Sequence, residues 1–245
     1  MKIAKKPAFL LAGILFPVLA VLVLPAFPAW GQDTEQSAED EGWVRPDREA
    51  LRQELRLGQA LAPDLHMKMD ILGQIMNKAR AGGISPEDKN IMQVLRYLAG
   101  EGTLTRMPSR SLSEADFPEA RRASCEVLGY IGGKSSREIL LAVLKAENTS
   151  FVLSQAVISL GKITDEADAE LTRAFTSLLE RKILSGGGDE PLAAALLSAV
   201  DKLAGSKSGI QDEDLFRALM RMLDLPLTRN LRQKTMLLIE KITGF

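Results

Sequence analysis

The sequence predicts an all-α fold in which antiparallel helix pairs stack into a solenoid. Three observations carry that prediction. First, the chain has 245 residues, 46% of them hydrophobic but only 5% aromatic. Its core must therefore be built from Leu, Ile, Ala, Val and Met, and those that are not β-branched favour helix. Second, apolar segments end in related strings: LGQI at Leu72, LGYI at Leu128, LGKI at Leu160, VDKL at Val200 and IEKI at Ile239. A period of roughly 30 to 40 residues is the mark of stacked supersecondary units. Third, Pro, Gly, Asn and Ser clusters divide each period in two, which makes each unit a pair of helices.

The elements follow in order. Residues 1–31 read as a secretory signal peptide. Lys2, Lys5 and Lys6 precede an almost unbroken apolar run from Phe9 to Leu24, and Ala29-Trp30-Gly31 places small residues before a cut at Gln32. The apolar stretch approaches membrane-spanning length, so an uncleaved anchor is the alternative, although Pro17, Pro25 and Pro28 interrupt it. Either way the remainder lies outside the cytoplasm, in the periplasm or the extracellular space. Residues 32–44 hold Asp33, Glu35, Glu39, Asp40 and Glu41 with no base among them, an acidic leader of disordered character.

Residues 45–245 form the repeat domain of four to five helix pairs. Asp47 to Leu57 and Leu65 to Ala79 make a terminal pair around Pro63. A helix from Ser85-Pro86 to about Leu98 pairs with the one ending at Ile131, and the Gly-, Thr-, Ser- and Pro-containing stretch of about 100–118 between them is an inserted loop. Ser135 to Glu147 pairs with Ser150 to Ile163 across Asn148-Thr149. Glu166 to Leu184 pairs with Pro191 to Leu203, where Asp189 is a candidate cap and Pro191 suits a first turn. Asp212 to Leu223 pairs with Thr228 to Ile242 across Pro226.

The second helices share a register. Positions −3, 0 and +3 about the anchor are Cys125, Leu128, Ile131; Val157, Leu160, Ile163; Leu197, Val200, Leu203; and Met236, Ile239, Ile242. These form one apolar stripe per helix. A Gly follows the anchor at Gly73, Gly129 and Gly161. Gly inside a helix costs about 1 kcal/mol relative to Ala, and close approach of a neighbouring helix would offset that cost.

EARRASCEVLGYIGG and FVLSQAVISLGKITD resemble the second helix of HEAT repeats, above all the short HEAT-like repeats of bacteria. The resemblance is most specific from Phe117 to Asp165. It weakens from Glu166 to Phe245, where Asp201 and Glu240 replace the Gly, and is weakest before Pro86. It implies a right-handed α-solenoid of HEAT/armadillo type whose second helices line a concave face, and a role as a binding scaffold. Arg121 and Arg232 match a basic residue common early in the family's second helix, while Ser154 does not, so a continuous arginine ladder is absent.

Chemistry finds little support. The net charge is −1; without the three signal-region lysines it becomes −4, and without the five acids of the leader as well the domain stands near +1. A nucleic-acid binder would carry a marked basic excess. The metal-binding hydroxylases among HEAT-like proteins use repeated His-Glu pairs, whereas this chain has one histidine, His66, followed by Met67. The acids read as scattered over exposed faces, so no catalytic, cofactor-binding or metal residue is assigned. Cys125, the only cysteine, reads as a small core residue rather than a nucleophile. Met67, Met69, Met76, Met92, Met220, Met222 and Met236 read chiefly as core filling.

The expected binding face lies opposite the apolar stripe, at positions +2 and −2 of each second helix. Position +2 holds Gln74, Tyr130, Lys162, Lys202 and Lys241; position −2 holds Asp70, Glu126, Ile158, Ser198 and Leu237. Stacking would align three lysines beside exposed Tyr130, Ile158 and Leu237, a surface suited to an acidic protein segment. The competing reading is that these lysines complement helix C-termini. The sequence thus predicts an exported, non-enzymatic scaffold that binds another protein through its concave helical face. A metal- or carboxylate-dependent enzyme and a membrane-anchored structural component of the envelope are the alternatives.

Overall fold

The computed structural model describes residues 56–104, 116–164, 168–184, 189–206, 210 and 212–244. The expected signal peptide (residues 1–31), the expected acidic leader (32–44), most of the expected Asp47–Leu57 helix and most of the expected inserted loop fall outside the described residues. Regular structure among the described residues is helical. After a helical segment at 56–61 come α1 (Leu65–Arg80), α2 (Lys89–Gly100), α3 (Pro118–Ile131), α4 (Gly133–Ala146) and α5 (Ser150–Ile163). They are followed by α6 (Ala169–Leu178), α7 (Glu190–Ala204), α8 (Glu213–Met222) and α9 (Arg229–Thr243).

Local sequence explains where these helices start. Asp64, Asp88, Asp168, Asp189 and Asp212 each accept a hydrogen bond from a backbone amide of the first turn, at 2.8–3.2 Å. Each such cap stabilises its helix by about 1 kcal/mol. Pro118 and Pro191 sit in first turns, where a missing N–H costs nothing. The second helix starts at Lys89 rather than Pro86 because Asp88, not Ser85, is the cap; Ser85 instead accepts the Asp88 amide at 3.0 Å in the turn before it. The expected long helix ending at Leu184 is α6 continued by a π-helix, Leu179–Leu184. Between α3 and α4 the chain turns on Gly132 and Gly133, at φ 70° and 77°, and a Cβ on Gly133 would lie 2.5 Å from Pro86 Cβ.

The helices form two layers. The odd-numbered helices pack in sequence, α1 on α3, α3 on α5, α5 on α7 and α7 on α9. The even-numbered ones do the same, α2 on α4, α4 on α6 and α6 on α8. Across the layers α2 meets α3, α4 meets α5, the π-helix meets α7, and α8 meets α9. Among the described residues this is an all-α solenoid of four pairs, with α1 in the second layer and the helical segment at 56–61 ahead of them. The apolar stripe is its core: Leu72, Cys125, Leu128, Val157, Leu160, Leu197, Val200 and Leu203 are all buried.

Two of the three anchor glycines make the expected close approach. A Cβ on Gly129 would lie 2.5 Å from Ser159 Oγ and 3.0 Å from its Cα, and one on Gly161 would lie 3.3 Å from Ala199 Cβ. The small residue after the anchor of one second helix therefore meets the small residue before the anchor of the next. Gly73 departs from this, for a Cβ there meets nothing within 4 Å. The residue before the next anchor is the bulkier Val127, and α1 and α3 do not close onto Gly73.

The methionine expectation is corrected in part. Met92 and Met222 are buried, but Met67, Met69, Met220 and Met236 are exposed. Met67 and Met69 lie on faces of α1 that the stack leaves open, and Met220 and Met236 belong to the last described pair, α8 and α9.

Candidate interaction face and the polar network beneath it

Position +2 comes to the surface in every second helix: Gln74, Tyr130, Lys162, Lys202 and Lys241 are all exposed. At −2, Asp70, Ile158, Ser198 and Leu237 are exposed and Glu126 is half-buried. The periodicity argument thus places these side chains on one surface, but the stack gives its three lysines different tasks.

Lys202 and Lys241 reach back one repeat. Lys202 Nζ donates to the carbonyls of Gly161 at 2.7 Å and of Lys162 and Thr164 at 3.4 Å, at the end of α5. Lys241 Nζ donates to the carbonyl of Asp201 at 2.8 Å and to its carboxylate at 2.8 Å, at the end of α7. Both ammonium groups sit on carbonyls of a helix's last turn, where its negative pole lies; on the Asp201 carbonyl Lys241 joins the Gly205 amide, which donates at 3.2 Å. They cap the preceding repeat's helix, not their own. In the first layer Arg181 of the π-helix does the same for α4, donating to Leu144 and Lys145 carbonyls at 2.7 and 3.0 Å.

Lys162 behaves differently. Its ammonium lies over the ring of Tyr130, 5.7 Å from the centroid, and the Arg80 guanidinium lies 5.3 Å from the same centroid. Tyr130 is 50% exposed. An open aromatic ring flanked by cations from α1 and α5 presents an apolar surface and two positive charges together. Further along the face, a groove of about 260 Å³ between α7 and α9 is lined by Leu197, Ser198, Asp201, Lys234, Leu237 and Leu238.

Beneath this face lies a buried polar network that the sequence reading missed. Lys68 of α1 is fully buried. Its Nζ donates to Glu101 Oε1 at 3.0 Å and to the Ala60 carbonyl at 2.6 Å, and lies 2.8 Å from Glu101 Oε2. The rings of Tyr97 and Phe117 stand 5.5 and 5.6 Å from it, and Tyr97 Oη donates to Glu101 Oε1 at 3.1 Å. Arg121 of α3 repeats the arrangement: Nε donates to Glu147 Oε2 at 2.6 Å, and the guanidinium also reaches Asp116 and the Glu101 carbonyl. Glu147 Oε1 accepts the amides of Asn148 and Thr149 at 2.7 and 2.8 Å. The acids are thus not all on exposed faces. Glu101 and Glu147 each stand one residue past the end of a first helix, and each pairs with a base on the second helix of the repeat before. That shared placement after Gly100 and Ala146 is the sequence signal that could have found them.

Burial pushes the Glu147 carboxyl up. The Thr149 amide, the Arg121 guanidinium and the Asn148 amide outweigh that effect and hold it below the usual carboxylate value. For Arg121, burial lowers and the two carboxylates raise, with the balance upward. Both groups stay charged at neutral pH, as a structural pair. Cys125 lies at 0% exposure, where burial pushes its thiol up to about 12, so it is neither an activated nucleophile nor accessible to another chain. His66 is exposed. Among the described residues no group of three or more His, Cys, Asp or Glu side chains is placed to hold a metal ion.

Residues 110–180, which contain α3 to α6, match the family model for HEAT repeats. With the two-layer stack, that match supports HEAT repeats in this part of an all-α solenoid. No curated protein and no solved structure matches it. HEAT repeats form helical scaffolds that often mediate protein interaction.

Proposed function

We propose that the chain is an exported, non-enzymatic scaffold that binds an acidic segment of another protein on the exposed face of its second helices. The observation that carries this reading is the open Tyr130 ring set between Arg80 of α1 and Lys162 of α5. An aromatic ring supplies area at little entropic cost, and flanking cations select for carboxylates and speed encounter. Ile158, exposed on α5, extends the patch. Lys202 and Lys241 contribute charge to the face while remaining on their carbonyls, and Leu237 lines the groove at the far end.

Export rests on the pattern of residues 1–31, and sequencing the mature N-terminus tests it: a start at Gln32 supports cleavage, and an intact leader supports an anchor. Binding is tested with a fluorescent peptide rich in Glu and Asp with one aromatic residue, against a neutral peptide of equal length. The acidic peptide binds, added salt weakens it, and Arg80→Glu with Lys162→Glu removes it. Equal binding of both peptides, or no effect of the charge reversals, rejects the reading. Stoichiometric, tightly held metal in the purified protein would favour an enzyme instead.

A further inference from the structure

The last described helix pair, α8 and α9, exposes residues whose counterparts in the repeat before it are buried. The capping residues Asp168 and Asp212 align α6 with α8, so Thr172 and Thr176 correspond to Phe216 and Met220. Both threonines are buried, while Phe216 is half-buried and Met220 is exposed. In α9, Lys241 does for the Asp201 carbonyl what Lys202 does for that of Gly161, which makes Met236 and Ile239 the counterparts of Leu197 and Val200. Leu197 is 3% exposed and Met236 is 49% exposed; Ile239 is half-buried. The register holds, and no described element covers these side chains. The open face presents two methionines, an isoleucine and a phenylalanine.

We propose that this end of the stack is a self-association surface, on which α9 of a second copy lies antiparallel across a two-fold axis passing near Met236. The charges on α9 point to that occupant. Arg232 and Glu240 are both exposed, and they stand four residues to either side of Met236, on one stripe of the helix. Antiparallel pairing about Met236 brings Arg232 of each copy against Glu240 of the other, twice over. A two-fold contact requires such self-complementarity, since each residue meets the counterpart of its own partner. The Arg232 guanidinium donates one bond to the Leu225 carbonyl at 3.3 Å, which holds the side chain at this end. The surface is separate from the Tyr130 patch, which is built from α1, α3 and α5, so either can fail without the other.

Sedimentation velocity of the whole chain in mild detergent, followed across the micromolar range, tests the proposal. The wild-type chain sediments as a dimer. Arg232→Glu and Glu240→Arg each weaken the dimer by about tenfold or more, because each sets like charges opposite one another. The double variant restores it, and an equimolar mixture of the two single variants forms a heterodimer. Met220→Gln, on exposed α8 surface, weakens the dimer without disturbing the far-UV circular dichroism melt and serves if either charge variant folds poorly. A wild-type chain that stays monomeric overturns the proposal. So do single variants that associate like wild type, a double variant no better than the singles, or a chain that associates only with a different protein.

Discussion

Arg121 and Glu147 form an ion pair with both side chains out of solvent: Nε stands 2.6 Å from Oε2, and the side chains are 2% and 1% exposed. The pair joins the start of α3 to the end of α4, one repeat on. A buried pair of this kind is weak evidence for net stabilisation, but removing Glu147 leaves the buried guanidinium with only the exposed Asp116 carboxylate against it. Glu147→Ala therefore lowers unfolding free energy by about 3–5 kcal/mol, read from the urea midpoint.

The same pair gives a pH dependence. Its folded carboxyl titrates below the usual value, so its contribution is fully present above the unfolded value of about 4.3 and is lost as pH falls through the folded one. Stability of the wild type therefore declines more steeply below about pH 4 than that of Glu147→Gln. Parallel acid profiles for the two chains would contradict this.

The glycine seam predicts opposite signs for one substitution. Gly129→Ala drives a methyl group into Ser159, and overpacking of this kind costs about 1–3 kcal/mol. Gly73→Ala meets open space and stabilises by about 0.5–1 kcal/mol through helix propensity. Thermal melts of both variants decide it.

The three face lysines separate by what they hold. Lys202→Gln and Lys241→Gln each lower stability by about 0.3–1 kcal/mol, as the neighbouring helix end loses its cation. Lys162→Gln leaves the melt in place and weakens the acidic peptide. A Lys162 variant that loses stability but keeps binding would make it a third structural lysine.

Cys125 is inert to a thiol reagent at neutral pH in the folded chain, given its burial and raised pKa, and reacts once the chain is unfolded in urea. Rapid labelling without denaturant would show that α3 opens locally.

Leu128→Asp and Leu160→Asp abolish the cooperative melt. Each side chain is fully buried on the stripe, and an unpaired carboxylate there has no partner. A circular dichroism melt unchanged from wild type would refute the shared register.

The sequence by itself determined the helical class, the repeat, the pairing of helices and most of their boundaries. These depend on short-range physics: a period of 3.6 residues, aspartates that accept first-turn amides, and turn residues between apolar runs. Leu128, Leu160 and Val200 were legible as core because their neighbours three residues away share a face. The tertiary structure alone decided what polar side chains do. Glu101 and Glu147 look like ordinary exposed acids until the stack sets them against Lys68 and Arg121, 33 and 26 residues away in the chain. Lys162, Lys202 and Lys241 occupy one register position, yet one lies over a ring and two hold carbonyls, because the helix before each ends differently: α3 offers Tyr130, and α5 and α7 offer carbonyl groups. Gly73 shares its motif with Gly129 and Gly161 but not their contact, since the approach of two helices depends on both surfaces. The exposure of Met236 follows the same logic: its register came from its own helix, but whether a side chain at that register is covered depends on the elements packed against it, which no local pattern encodes.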